Sequence, residues 1–534
     1  MPTKLVVTDV SAMKKKYKAS WPKVRQAVGR LARKDAARGI TTTLVALDGA
    51  NLGASRAKAR QPETFKAAID HVWSLHHQPD YILILGGPDI VPHQSLRNTV
   101  PPDDDPDVPS DLPYACEAPA SDDPSTFIAP TRVVGRLPDV PGDRSPRLLV
   151  GLLDAAAAWK PKTKADYKGY FGLSAHTWRQ STAKSLKALF GAAAATRTSP
   201  NDGPLWKKTE LSPLSHFINC HGGTIDPQFY GQKGEEFPVA HQAVHLPDKV
   251  ARGTVVAAEC CYGAELYEPD GTPEGICVHY LREGAIAFMG STCTAYGPST
   301  TNGDADLICR FFLEGAIAGA SFGRALLEAR LRFVQEGNPL NPVELKTLAQ
   351  FVLLGDPSLR ATGTAPKGSP KAKSMAMARA ARPHTLHRGS LTAKAATLGK
   401  GVDSVAAAPI GGPPPAVRAA LDKAARQEGF VPVKKAQTYA VQQAPDPVFR
   451  AALAKKAFTP VRYHMMMAKP APAAPTPVGA TIARVRSDVR AKGKSRAEAP
   501  RPKTVHANLL LLAREVGGKV LEVERLYTKA RRNR

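Results

Sequence analysis

The sequence has no apolar run approaching the eighteen residues that a membrane-spanning helix needs. Its first twenty residues hold only two short apolar clusters, broken by Asp9 and by Lys14, Lys15 and Lys16. That is not the uninterrupted apolar block of a secretory signal, so a cytoplasmic location is expected. Cysteine is sparse: seven in 534 residues, an odd number with no paired CxxC spacing. This argues against a disulfide framework and against a zinc ribbon. No repeat of fixed period is visible. At 43% hydrophobic and 22% charged residues, a wholly disordered chain is excluded, and 534 residues exceed one ordinary core.

The net charge of +26 is unevenly placed. Residues 361–534 hold about 33 Lys+Arg and about 9 Asp+Glu, leaving the first 360 close to neutral. The chain reads as a neutral body with a basic Ala/Pro/Lys tail. Such a tail offers weak, salt-sensitive contact to polyanions rather than a shaped nucleic-acid site.

Strand and helix patterns alternate along the body. Leu5–Thr8, Thr41–Leu47 and Tyr81–Leu85 read as strands, the last ending in Gly86-Gly87. Between them, residues 21–38 place Val24, Ala27, Val28, Leu31 and Ala32 on one helical side, and residues 63–76 repeat apolar residues at helical intervals. Residues 101–130, rich in Asp and Pro, form a loop. Its acidic run, Asp103 to Asp107, has the oxygen ligands calcium takes, but its prolines break any EF-hand spacing and favour a solvated loop. Arg136 is positioned to pair with a loop carboxylate such as Asp111. Helices are expected at 147–159, 181–191, 304–314 and 321–335, and strands at 170–174 and 351–354. In the tail, only residues 505–531 keep a helical pattern, so the tail is expected to be largely disordered with one amphipathic terminal helix.

Three short buried strands end in small or reactive residues. Phe217–Cys220 runs into His221-Gly222-Gly223, Thr254–Ala258 into Glu259-Cys260-Cys261-Tyr262-Gly263, and Ala285–Met289 into Gly290-Ser291-Thr292. Open parallel sheets build sites beyond the carboxyl ends of their strands. A thiol at one such end and an imidazole at the next supply a nucleophile and a base, and glycine backbone lets N–H groups approach a substrate carbonyl. In that geometry the oxyanion sits between the N–H groups of Gly222 and Cys260. Glu259 either tunes the thiol or faces solvent.

The ordered set of segments resembles the gingipain-type peptidases of the caspase-like cysteine peptidases. The set comprises Tyr81–Gly87 with Ile90 and Pro92, Ser110–Tyr114, Val134–Pro138, His221–Gly223 with Phe229-Tyr230-Gly231, Cys260–Gly263 and Leu354–Leu359. The resemblance spans residues 1–362. It implies an α/β, caspase-like three-layer sandwich with mostly parallel sheets in two adjacent subdomains, 1–155 and a catalytic 156–362. A low-complexity stretch, 363–500, and the terminal helix, 501–534, follow. It implies a His221–Cys260 dyad, the family's Cys-x-x-Gly spacing selecting Cys260 over Cys261. It implies hydrolysis of protein or peptide substrates through a thioester, with no metal or organic cofactor. Basic specificity does not carry over, because Gly172–Trp178, which should line the pocket, has no carboxylate. His176 and Trp178 are expected to shape that pocket, with Ser291 and Thr292 in another wall. The competing expectations are a catalytically silent scaffold of the same fold and polyanion binding through the tail. The tail itself is a candidate for self-processing, or for a seat over the cleft.

Overall fold

The computed structural model describes residues 1–103, 105–234, 236–337, 341–363, 412–432, 436–441, 461–470, 508–516, 519–528 and 530–531. Strand β1 (Thr3–Thr8) is buried along nearly its whole length, as a central strand covered on both faces must be. It pairs in parallel with β2 (Thr41–Ala46) and β3 (Tyr81–Leu85). Helices α1 (Val10–Tyr17), α2 (Trp21–Ala37) and α3 (Pro62–Leu75) separate these strands in sequence. Helix α2 buries Val24, Ala27, Val28 and Leu31, the stripe its spacing predicts.

A short antiparallel pair, β4 (Gln94–Leu96) and β5 (Val108–Ser110), interrupts the acidic loop. Then come β6 (Val134–Leu137), helix α4 (Arg147–Ala158), β7 (Tyr170–Ala175), helix α5 (Arg179–Phe190), β8 (Thr196–Ser199), helix α6 (Lys208–Leu211) and β9 (Ser215–Asn219). Beyond β9 lie β10 (Gly222–Gly223), β11 (Gln228–Tyr230), β12 (Val239–Gln242) and β13 (Val255–Ala258). Helix α7 (Ile276–Glu283), β14 (Ala287–Ser291) and β15 (Tyr296–Gly297) follow. The body closes with helices α8 (Asp304–Ala318), α9 (Phe322–Glu336) and α10 (Pro342–Gln350) and strand β16 (Phe351–Gly355).

Ten of these strands make one sheet in the order β2-β1-β3-β6-β16-β14-β13-β9-β7-β8. Every neighbouring pair is parallel except β14 and β16. The two expected halves therefore share one sheet whose direction reverses at that junction. Helices lie on both faces. His216 of β9 reaches the Tyr280 hydroxyl of α7 at 3.1 Å. Asn219, three residues on, reaches Asp306 of α8 at 3.2 Å. Successive strand residues point to opposite faces, so α7 and α8 lie on opposite sides of the sheet. The architecture is the expected three-layer α/β sandwich.

The expected terminal helix is not what forms. Residues Leu509–Val516 and Lys519–Thr528 are antiparallel strands, β20 and β21, in the order introduced after β17 (Phe430–Pro432), β18 (Gln437–Val441) and β19 (Val461–Pro470). Gly517-Gly518, between them in sequence, is a favoured pair for a two-residue hairpin connection. The strand period is hidden because both faces of β20 are covered. Leu509, Leu511 and Ala513 pack with helix α11 (Pro415–Gln427) and with Trp178. Leu510 and Leu512 pack with Tyr296, Val100 and Val343. With no polar side, the apolar residues satisfy a helical count by coincidence. Most of the 363–500 stretch lies outside the described residues, but α11, β17, β18 and β19 fall within it. The resulting sheet, β15-β21-β20-β19-β17 with β18 beside β19, takes β15 from the body. A last strand, β22 (Ala530–Arg531), pairs in parallel with β10. Among the described residues no helix is long and apolar enough to cross a membrane.

Candidate active site

The register of β9 and β13 decides what meets beyond their ends. Ala258 lies opposite Ile218, and the Glu259 N–H donates to the Ile218 carbonyl at 2.8 Å. The His221-Gly222-Gly223 loop and the Cys260–Gly263 turn therefore emerge side by side. Their backbones touch. A Cβ placed on Gly222 would lie 1.9 Å from the Cys261 carbonyl oxygen, so only glycine fits there. The Gly263 N–H closes the second turn onto the Cys260 carbonyl at 3.2 Å, with Tyr262 at positive φ.

The thiols have different surroundings. The Cys260 Sγ is 3.9 Å from the Ile218 carbonyl oxygen. The Cys261 Sγ accepts the Ala295 N–H at 2.9 Å and lies 3.4 Å from the Ala295 carbonyl, tying the turn to the loop after β14. Both cysteines are buried.

His221 is held from several sides. Its backbone exchanges two hydrogen bonds with Tyr230, at 2.9 and 2.8 Å, so the Phe229-Tyr230-Gly231 segment fixes its position. The ring packs against Trp178 at 4.5 Å and Phe237 at 5.1 Å between centroids. Its Nε2 lies 2.8 Å from the Gln232 Oε1. The Gln232 amide nitrogen donates to the Gly234 carbonyl at 3.0 Å, which turns the amide oxygen toward the ring. An oxygen only accepts, so Nε2 carries the proton and Nδ1 is the basic nitrogen. Gln232 and Phe237 were not singled out in the sequence. Their nearness to Phe229-Tyr230-Gly231 was the available signal.

The pocket candidates do not all come together. Trp178 is wholly buried on the His221 ring. His176 is partly exposed, lies 3.2 Å from an Arg179 guanidinium nitrogen, and is pushed below the usual imidazole range by burial and by that cation. The Ser291 hydroxyl donates to the Cys293 carbonyl at 2.8 Å, and that of Thr292 to the Pro109 carbonyl at 2.6 Å. Both are engaged with backbone. Glu259 is buried, which removes its solvent-facing alternative.

The acidic loop is not solvated as expected. The side chains of Asp103 and Asp105 are buried around the ammonium of Lys346, which is 2.6 Å from Asp105 and also contacts Asp103. Asp105 further accepts the Tyr262 hydroxyl and the Thr294 N–H, the latter at 2.9 Å, and Asp103 accepts the Tyr296 hydroxyl at 2.9 Å. Burial drives Asp103 above the usual carboxylate range. For Asp105 burial is outweighed by Lys346 and the Tyr262 and Thr294 donors, which hold it below that range. These carboxylates brace the cysteine turn and the loop after β14 from behind. Farther off, Arg136 forks onto Asp111 at 2.6 and 2.9 Å, as its sequence position suggested. Among the described residues no group of three or more His, Cys, Asp or Glu could hold a metal ion.

No curated protein matches the sequence significantly. A solved structure described only as a protease is 16% identical, covering 67% of this chain and 78% of its own, with a TM-score of 0.44. The Saccharomyces cerevisiae separase–securin complex is 17% identical over 43% of this chain and 14% of that one, with a TM-score of 0.27. Neither likeness bears on the chemistry. At the level of sequence, residues 221–362 match peptidase family C25. That stretch, about a quarter of the chain, starts at His221 and contains the Cys260 turn.

Proposed function

We propose that the chain is a cysteine endopeptidase that works through His221 and Cys260. The observation that carries this reading is the direct backbone contact between His221-Gly222 and the cysteine turn, inside the stretch that matches a peptidase family. The Cys-x-x-Gly spacing favours Cys260 as nucleophile. The Cys261 thiol is engaged with Ala295 and serves as an anchor.

In the proposed reaction the Cys260 thiolate attacks the scissile carbonyl carbon and a C–S bond forms. The N–H groups of Gly222 and Cys260 hold the oxyanion. His221 Nδ1, having taken the thiol proton, gives it to the leaving amine as the C–N bond breaks. Water then attacks the thioester, His221 takes its proton, and the acid product leaves as the thiol re-forms. Gln232 holds the imidazole in the tautomer this requires. Trp178 and Phe237 offer an apolar wall, and Gly172–Trp178 has no carboxylate for a basic side chain.

A random peptide pool incubated with wild type, Cys260→Ala and Cys261→Ala tests the reading. Turnover in wild type and Cys261→Ala, absent in Cys260→Ala, is expected. Turnover that survives both substitutions combined refutes it.

A further inference from the structure

The strands that flank the cysteine turn are not open. β10, directly after His221, pairs with β22: Gly222 lies opposite Ala530 and Gly223 opposite Arg531. β15, at the far end of the loop that anchors Cys261, pairs with the end of β21: Tyr296 lies opposite Thr528 and Gly297 opposite Tyr527. Strands β21 and β22 thus lie beside both the His221 loop and the loop that anchors Cys261. An exposed strand edge is a template for a peptide in extended form, which adds to it through backbone hydrogen bonds regardless of side chains. Here the template is already filled.

Side chains of the same sheet pack on the neighbours of the two loops. Trp178, which covers the His221 ring, shares one apolar cluster with Val417, Leu421, Leu509, Leu511 and Tyr527. At the other loop, Tyr296 packs with Tyr463, Met465, Leu510 and Leu526. Asn341 of the body adds a contact of 3.3 Å to Glu524. His221 and Cys260 both have 0% of their surface exposed, although cleavage of a protein substrate requires access to each.

From this arrangement we infer that the C-terminal strands are an autoinhibitory strap. Resting on the peptidase reading above, β21 and β22 occupy the track along β15 and β10 that an extended substrate would use, and the sheet behind them shields the dyad. The chain is latent while this strap is seated, and activity requires withdrawal of β21 and β22. The ligand class of the track is polypeptide backbone, with the chain's own end as resident competitor.

Two variants of the 534-residue chain loosen the strap by different means. Ala530→Pro removes an N–H from the strand beside β10. Leu511→Asp puts a carboxylate into the apolar contact over Trp178. Alkylation of Cys260 by iodoacetamide, followed by peptide mass spectrometry, reads access without needing a substrate. Both variants are expected to label at least ten-fold faster than wild type, with turnover of a random peptide pool rising in parallel. Unchanged labelling in both variants overturns the strap. Faster labelling in Leu511→Asp alone assigns the shielding to the sheet and overturns the role of β22. Faster labelling in both without peptide turnover upholds the strap and refutes the peptidase reading instead.

Discussion

Replacing Lys346 by Met should be among the most damaging single changes in the body. The Lys346 side chain is 1% exposed, and its ammonium lies between two carboxylates that are themselves buried. Methionine keeps the length and the apolar stem but leaves Asp103 and Asp105 facing each other without a cation. Removing one partner of a buried ion pair costs about 3–5 kcal/mol, far more than the net worth of the pair, because the remaining charge is left uncompensated. That loss lowers the urea midpoint by about 1–2 M, given a denaturant slope near the upper end for single domains. The pH dependence separates this cause from simple loss of packing. In wild type, Asp105 is held below the usual carboxylate range, so its contribution is present at neutral pH and fades as pH falls below about 3.9. In Lys346→Met the sign inverts. Acidification protonates the stranded carboxylates, and the deficit against wild type shrinks toward pH 4. Urea titrations at pH 7 and pH 4.5 check both points. A loss below about 1 kcal/mol at pH 7, or a deficit that does not change with pH, refutes the reasoning. Because Asp105 holds Tyr262 and Thr294, any residual peptidase activity should fall with stability.

Three further outcomes are expected. Gly222→Ala drives a methyl group into the Cys261 carbonyl, so the two turns separate; any peptide turnover falls at least about 100-fold, and overpacking costs about 1–3 kcal/mol in urea melts. Arg136→Met leaves Asp111, which the guanidinium and His93 together hold far below the usual carboxylate range against its burial, with His93 at 3.0 Å as its remaining side-chain partner, and lowers stability by up to about 3–5 kcal/mol in the same melts. Burial raises Glu265 to about 7 while it holds Thr224 and Ile225 at 2.9 and 2.7 Å, so its contribution is full below about 4.5 and is lost as pH rises through 7. Protection of the Ile225 amide, taken relative to its intrinsic base-catalysed exchange rate, should fall over that window in wild type and stay flat in Glu265→Gln.

Most of the body was legible because its signals are local. Tyr81–Leu85 is an apolar run too short for a helix and stopped by two glycines, and α2 shows its buried stripe at helical spacing. The meeting of the two loops was legible for the same reason, since His221 and Cys260 each follow a short buried strand closely. What local pattern conceals is pairing across distance. Lys346 sits in a helix some 240 positions from Asp103, and nothing near either residue marks the partner. The acidic loop therefore looked solvated. Leu509–Leu512 misled for a different reason: a strand covered on both sides loses the alternation that distinguishes it from a helix.

The reversal of direction at β14 and β16 bears on how the molecule is made. β16 is the last strand of the body, yet it is wedged between β6 and β14 in the middle of the sheet. While a nascent chain is still short of Phe351 on the ribosome, two half-sheets exist with no bridge between them, and that bridge depends on slow, long-range pairing. Assembly of the central seam thus waits for nearly the entire body to be synthesised.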